Sequence, residues 1–157
     1  MKIKWRSLIA ALAIPLAVGG LSAWVTKDAM ERFAELDQPP LSPPGWVFPV
    51  VWTILFILMG VASYLVGTSG MPGRERRNAL LLYGVQLVVN FFWSIFFFNM
   101  GWYLFSFFWL ALLWLLVLET IDLFWKISRS AGILLFPYLA WITFAGYLNF
   151  GIFLLNP

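Results

Sequence analysis

The chain alternates long apolar runs with short polar ones. The apolar runs cover roughly 8–25, 46–66, 78–98, 102–125 and 131–155. Each is close to the ~20 residues a helix needs to cross a ~30 Å hydrocarbon core. No period-two alternation runs through them, so barrel strands are not expected. In lipid only helices and closed barrels satisfy every backbone group. The pattern therefore predicts an all-α integral membrane protein. Five transmembrane helices form one bundle and a single domain over 1–157, with a long first loop at 26–45. The links at 67–77, 99–101 and 126–130 are short, which sets consecutive helices antiparallel and adjacent. Gly20 and Ser22 near the end of the first run allow a second reading of it as a cleaved signal peptide, though the run is long for one.

Composition agrees with the pattern. The chain is 62% hydrophobic and 11% charged, against about 25% charged in soluble domains. Charge then orients the bundle. Lys2, Lys4, Arg6, Arg74, Arg76, Arg77, Lys126 and Arg129 fall on one side, and only Lys27 and Arg32 on the other. The positive-inside rule predicts a cytoplasmic N-terminus and cytoplasmic basic links, with the first loop and the C-terminus outside. A net charge of +3, segregated in this way, does not suggest nucleic acid.

The chemistry available is narrow. Ten tryptophans are present, with no histidine and no cysteine. Disulfides and thiolate or imidazole metal sites are excluded, and no metal site is expected. No acid–base or nucleophile constellation is visible. Glu119 and Asp122, with Lys126 four residues beyond Asp122, read as a neutralised helix end or as a proton relay.

The tryptophans divide by position. Trp5, Trp24, Trp46, Trp102 and Trp125 sit at run ends, where an interfacial belt explains them. Trp109 and Trp114 sit inside and face lipid or neighbouring helices. Trp52, Trp93 and Trp141 share helical stripes with other notable residues. Gln86, Asn90, Trp93 and Phe97 follow i, i+4, i+7, i+11 spacing, with Ser94 beside them. Trp52, Phe56 and Met59 form a second stripe, and Trp141, Ala145, Leu148 and Asn149 a third. Buried amides need partners, so Gln86, Asn90 and Asn149 should face the interior, as helix glue or as part of a site. At ~1.5 Å per residue Trp52 lies roughly 9 Å inside its helix end, and Trp93 and Asn149 share its half of the membrane. An apolar cavity with a few convergent polar groups is the usual form of a small-molecule site. Gly19, Gly20 and Ser22 would leave it room. The first loop would be its lid, with Asp28 and Glu31 as a capping box, Met30, Phe33 and Leu36 on one side of a short helix, and Pro39, Pro40, Pro43 and Pro44 stiffening the return.

Three motifs in order carry a resemblance. They are Ser42–Gly60 (SPPGWVFPVVWTILFILMG), the set Gln86, Asn90, Trp93, Ser94, Phe97 and Phe98, and Phe136–Asn149 (FPYLAWITFAGYLN). Together they resemble the translocator protein family, also called tryptophan-rich sensory proteins or peripheral benzodiazepine receptors, in a bacterial-type member. The resemblance covers the whole chain. It implies a five-helix membrane receptor or sensor of the bacterial cell membrane. It implies a pocket for protoporphyrin-like tetrapyrroles and for benzodiazepine- or isoquinoline-type ligands. By motif, Ala23, Phe33, Trp52, Phe56, Asn90, Trp93, Trp141, Ala145 and Asn149 would bind the ligand. No cofactor is implied beyond a porphyrin as ligand. A homodimer is implied, to which Gly84 and Val88 are a weak pointer. The resemblance also admits light-dependent porphyrin degradation, with Trp52 and Trp141 as candidate catalytic residues, and tetrapyrrole or lipid transport.

The chain departs from the family pattern in its first loop. Arg32-Phe33 stands where Trp-Tyr is common, and Gln38-Pro39-Pro40-Leu41 where Lys-Pro-x-Trp is common. No basic residue follows Tyr147, so the family's sterol motif is incomplete.

Overall fold

The computed structural model describes residues 2–157. It is helical throughout, with five stretches long and apolar enough to cross a membrane. Helix α1 spans Trp5–Thr26. A single 3-10 turn, Lys27–Ala29, leads into the short α2, Met30–Ala34. Then come α3, Val47–Gly67, and α4, Gly73–Ser94, which ends in a π-helical turn at Ile95–Asn99. Helix α5 spans Tyr103–Ile127. The fifth span is broken into α6, Arg129–Leu134, and α7, Phe136–Leu155.

The expected spans are present, with three differences of detail. First, α4 starts five residues before the apolar run because Arg74–Arg77 is helical yet too polar to register as membrane-spanning. Second, the fifth span is interrupted at Leu135. Pro137 sits in the first turn of α7, and a proline there cannot accept a continuous helix from upstream. Ser128 starts α6 instead, its Oγ accepting from the Ala131 amide at 3.4 Å. Third, the capping box does not form. Asp28 lies inside the 3-10 turn, and Ala29, which offers no side-chain acceptor, precedes α2.

Around the bundle α1 lies on α3, α3 on α6, α6 and α7 on α5, α5 on α4, and α4 returns to α1. Helices α1 and α3 meet at Gly60. A Cβ there would stand 2.9 Å from the Ala11 carbonyl oxygen and from the Leu12 Cα, so only glycine permits the approach. Helix α1 is further stapled at both ends. Its Lys4 amide donates to the Tyr64 hydroxyl at 2.9 Å, and Asn99 Nδ2 donates to the Val25 carbonyl at 3.2 Å.

Two chemically distinct ends result. The basic end holds the α3–α4 link and the α5–α6 junction. The lid end holds the first loop, the α4–α5 turn and the C-terminus. The span-end tryptophans are exposed at these levels, as a belt requires: Trp5, Trp24, Trp46 and Trp102 are more than half exposed. Glu119 and Asp122 are exposed on α5, and Asp122 pairs with Lys126 at 3.0 Å.

Candidate ligand site

Two aromatic groups fill the lid half of the interior. In the first, Trp52 on α3 stacks on Phe56 with ring centroids 5.5 Å apart. Its edge meets Tyr138 of α7 at 6.1 Å. Phe48, one turn before Trp52, meets Trp141 of α7 at 5.9 Å. Helix α3 packs backbone to backbone against α6 but not along α7, and these rings occupy the wedge between α3 and α7. In the second group, Trp93 on α4 stacks on Phe97 at 5.2 Å. The π-turn after Ser94 adds a residue to the helical repeat and sets Phe97 and Phe98 side by side under the lid.

Phe33 of α2 touches both groups. Its ring lies 5.2 Å from Phe98, 5.8 Å from Phe97 and 6.1 Å from Phe48. Met30 is exposed, whereas Phe33 and Leu36 pack on the core.

Polar side chains hold the groups in place. Gln86, Asn90 and Asn149 are buried, as their cost in hydrocarbon demands. The Trp93 indole donates to Asn149 Oδ1 at 3.0 Å, and Asn149 Nδ2 donates to the Tyr103 carbonyl at 2.8 Å. Asn90 Nδ2 donates to the Tyr138 hydroxyl, which donates to Gln86 Oε1, each at 2.7 Å. The Trp141 Nε1 and the Gln86 Nε2 are different: both are buried and have no partner.

The structure thus draws together Phe33, Trp52, Phe56, Asn90, Trp93, Trp141 and Asn149 in one half of the bundle, with Ala145 buried on α7. Ala23 stands apart, exposed near the lid end of α1. Gly19 does not leave open room, because the Phe56 ring lies where its Cβ would be, at 2.5 Å. Sequence reasoning assigned no role to Phe48 and Tyr138. Their signal was present, since Phe48 is i−4 from Trp52 and Tyr138 is i−3 from Trp141, each on the same helix face.

The first loop, the expected lid, is latched to α7 and its C-terminal end. Asn156 Oδ1 accepts from the Asp37 amide at 3.1 Å, and its Nδ2 donates to the Asp37 carbonyl at 2.8 Å. The Tyr147 hydroxyl donates to the Pro40 carbonyl at 2.6 Å. Pro39 sits in the notch of Gly151, where any Cβ would come within 2.6 Å of the proline ring. Beneath α2 a cavity of about 200 Å³ remains, walled by Phe33, Leu36, Phe97, Phe98 and Tyr103, with Arg32 at its edge.

A larger hollow of about 440 Å³ lies elsewhere, between α5 and α7, lined by Leu110, Trp114, Gly146 and Phe150 among others. Its polar groups are spent: the Trp114 indole donates to Thr143 Oγ1 at 2.9 Å, and Tyr147 serves the lid. It opens on the membrane-facing flank, whereas the partnerless Trp141 N–H and the Asn90–Tyr138 pair border the wedge. The wedge is therefore the candidate site.

Among known proteins, the TspO/MBR family matches residues 11–155. The chain belongs to the TspO/MBR family. It is 40% identical over 152 residues to the tryptophan-rich protein TspO of Chlorobaculum tepidum, covering 96% of each chain. It is 34% identical over 156 residues to a tryptophan-rich sensory protein of Cereibacter sphaeroides, covering 99% of this chain and 95% of the relative. It is also 34% identical over 151 residues to the translocator protein of Bos taurus, covering 93% and 88%. The five membrane-spanning helices of this TspO/MBR chain and its tryptophan-rich interior agree with that membership.

Proposed function

We propose that this chain is a membrane receptor or sensor for flat aromatic ligands. The ligands are protoporphyrin-like tetrapyrroles and benzodiazepine- or isoquinoline-type compounds, and they bind in the wedge between α3 and α7. The observation that carries this reading is the Trp141 indole N–H, buried beside the Phe48 and Phe144 rings without an acceptor. Leaving such a donor unpaired costs about 1–3 kcal/mol. A ligand carbonyl or carboxylate would repay that cost. The wedge is filled by the protein's own rings in the closed state, so entry goes with lifting of the lid and turning of Phe33 and Phe48.

Stacking and apolar burial supply the grip, and Asn90 and Trp141 orient the ligand's polar edge. Without histidine or cysteine the two commonest axial haem ligands are missing, so a metal-free porphyrin is the favoured tetrapyrrole. The charge asymmetry supports an orientation with the lid end outside a bacterial cell membrane. A second copy of the chain would meet α4, where Gly84 has open space over its Cα and Val85 and Val88 are exposed.

The test is a protoporphyrin titration of the purified protein followed by tryptophan quenching. Saturable binding weakened by Asn90→Ala or Trp141→Ala supports the wedge, and unchanged affinity in both removes it. A second reading, light-dependent porphyrin degradation with Trp52 and Trp141 as participants, is favoured by the oxidisable Tyr138 ring against Trp52. Equal porphyrin decay in light with and without protein sinks it. Transport has less support, since Glu119 and Asp122 lie exposed on α5 rather than in the interior.

A further inference from the structure

The hydrogen-bonded string Asn90–Tyr138–Gln86 runs between α4 and α7 beside Trp52. Asn90 is 4% exposed and the other two 1% each, so water does not set their orientation. A phenol carries one proton. Tyr138 can therefore donate to only one of the two amides, and the other must donate to it. The amides are locked in opposite senses. In the direction seen, Asn90 donates and Gln86 accepts. Asn90 Oδ1 is then the end left over, with no donor to it among the described residues.

Gln86 decides whether this direction can change. Its Nε2 has no partner. Turning the Gln86 amide end over end brings Nε2 to Tyr138 and leaves Oε1 unpartnered instead. Tyr138 then donates to Asn90 Oδ1, and Asn90 Nδ2 becomes the end left over. Both directions contain two hydrogen bonds and leave one end of each amide unpartnered, and the oxygen and nitrogen ends of an amide have nearly the same size. Neither direction gains a hydrogen bond over the other, whereas an amide with both ends satisfied would be pinned in one.

We propose that Gln86 and Tyr138 form a reversible relay that sets which hydrogen-bonding face Asn90 shows to a ligand. In one sense Asn90 accepts from a ligand N–H, such as a pyrrole. In the other it donates to a ligand carbonyl. Gln86 acts through Tyr138 and is a positioning residue. The inference rests on the wedge being the ligand site. It accounts for one pocket serving porphyrins and amide-type aromatics alike.

The test uses a pair of probes: an isoquinoline carboxamide with an amide N–H, and its N-methylated analogue, which only accepts. Affinities for both are measured by tryptophan quenching in the native protein, Gln86→Met and Tyr138→Phe. Methionine accepts a phenol proton only weakly, so Tyr138 gives it by preference to Asn90 Oδ1 and biases Asn90 toward the donor sense. Gln86→Met should then shift the affinity ratio about tenfold toward the N-methylated probe, the worth of roughly one hydrogen bond. Tyr138→Phe frees Asn90 and should return the ratio to within about threefold of the native value. If Gln86→Met does not fold, Gln86→Leu makes the same substitution of role. A ratio unchanged in the Gln86 variant, with both probes still bound, overturns the relay and leaves the site standing. Binding of neither probe by the native protein overturns the site and the relay together.

Discussion

Trp93, Trp109 and Trp114 spend their indole N–H groups inside the protein, on Asn149, on the Val89 carbonyl and on Thr143. Trp141 does not. Trp141→Phe should therefore leave the ligand-free protein as stable as before, or slightly more so, because it removes an unpaired buried donor. The same change should weaken an acceptor-bearing ligand by up to about tenfold. Thermal unfolding in detergent with and without ligand reads both effects, and a destabilised ligand-free variant would contradict the assignment. Asn149→Ala makes the opposite case. It strips the Trp93 indole of its acceptor and the Tyr103 carbonyl of its donor, and should cost about 1–3 kcal/mol without any ligand. Burial of the amides was legible in the sequence because an amide has few other options in hydrocarbon. Tyr138 was not, since a tyrosine in an apolar run reads as one more large ring until a partner from α4 meets its hydroxyl.

At the scale of elements, α7 does two jobs with different faces. One face lines the wedge through Tyr138, Trp141 and Ala145. Another holds the lid through Tyr147, Gly151 and Asn156. Gly151→Val should drive Pro39 out of its notch, and Asn156→Ala should release Asp37. Both are expected to speed protease cleavage between residues 35 and 45 and to raise ligand on- and off-rates together. A loop as resistant as the native one in both variants would show that the latch is not what closes the lid. The helices themselves were readable from hydropathy. Their ends were not, since Arg74–Arg77 forms helix beyond the apolar run and Leu135 interrupts one that looked continuous. The lid was readable as a loop with apolar residues on one side. Its docking partners, more than a hundred residues away along the chain, have no local signal.

At the scale of the whole molecule, the charge asymmetry predicts a direction across the membrane. With no cysteine in the chain, single replacements provide a clean report of sidedness. Lys27→Cys should react with an impermeant thiol reagent from outside intact cells, and Arg76→Cys only after the membrane is opened. Labelling of both from the same side would overturn the orientation. The order of the helices around the ring could not be read from hydropathy, which marks spans without marking neighbours. It follows from side-chain fit, of which Gly60 against Ala11 and Leu12 is the plainest case.

That seam has a mechanical consequence. Helix α1 buries only Pro15 and Thr26 completely, and lipid replaces most of what a neighbouring helix would otherwise offer it. Its hold is concentrated on α3, through the Gly60 seam and the Phe56 ring on Gly19, with one hydrogen bond near each end. Drawn upward by its N-terminus with a cantilever, the chain should surrender α1 first, as the seam with α3 parts. The remaining four spans should give way in separate, later steps.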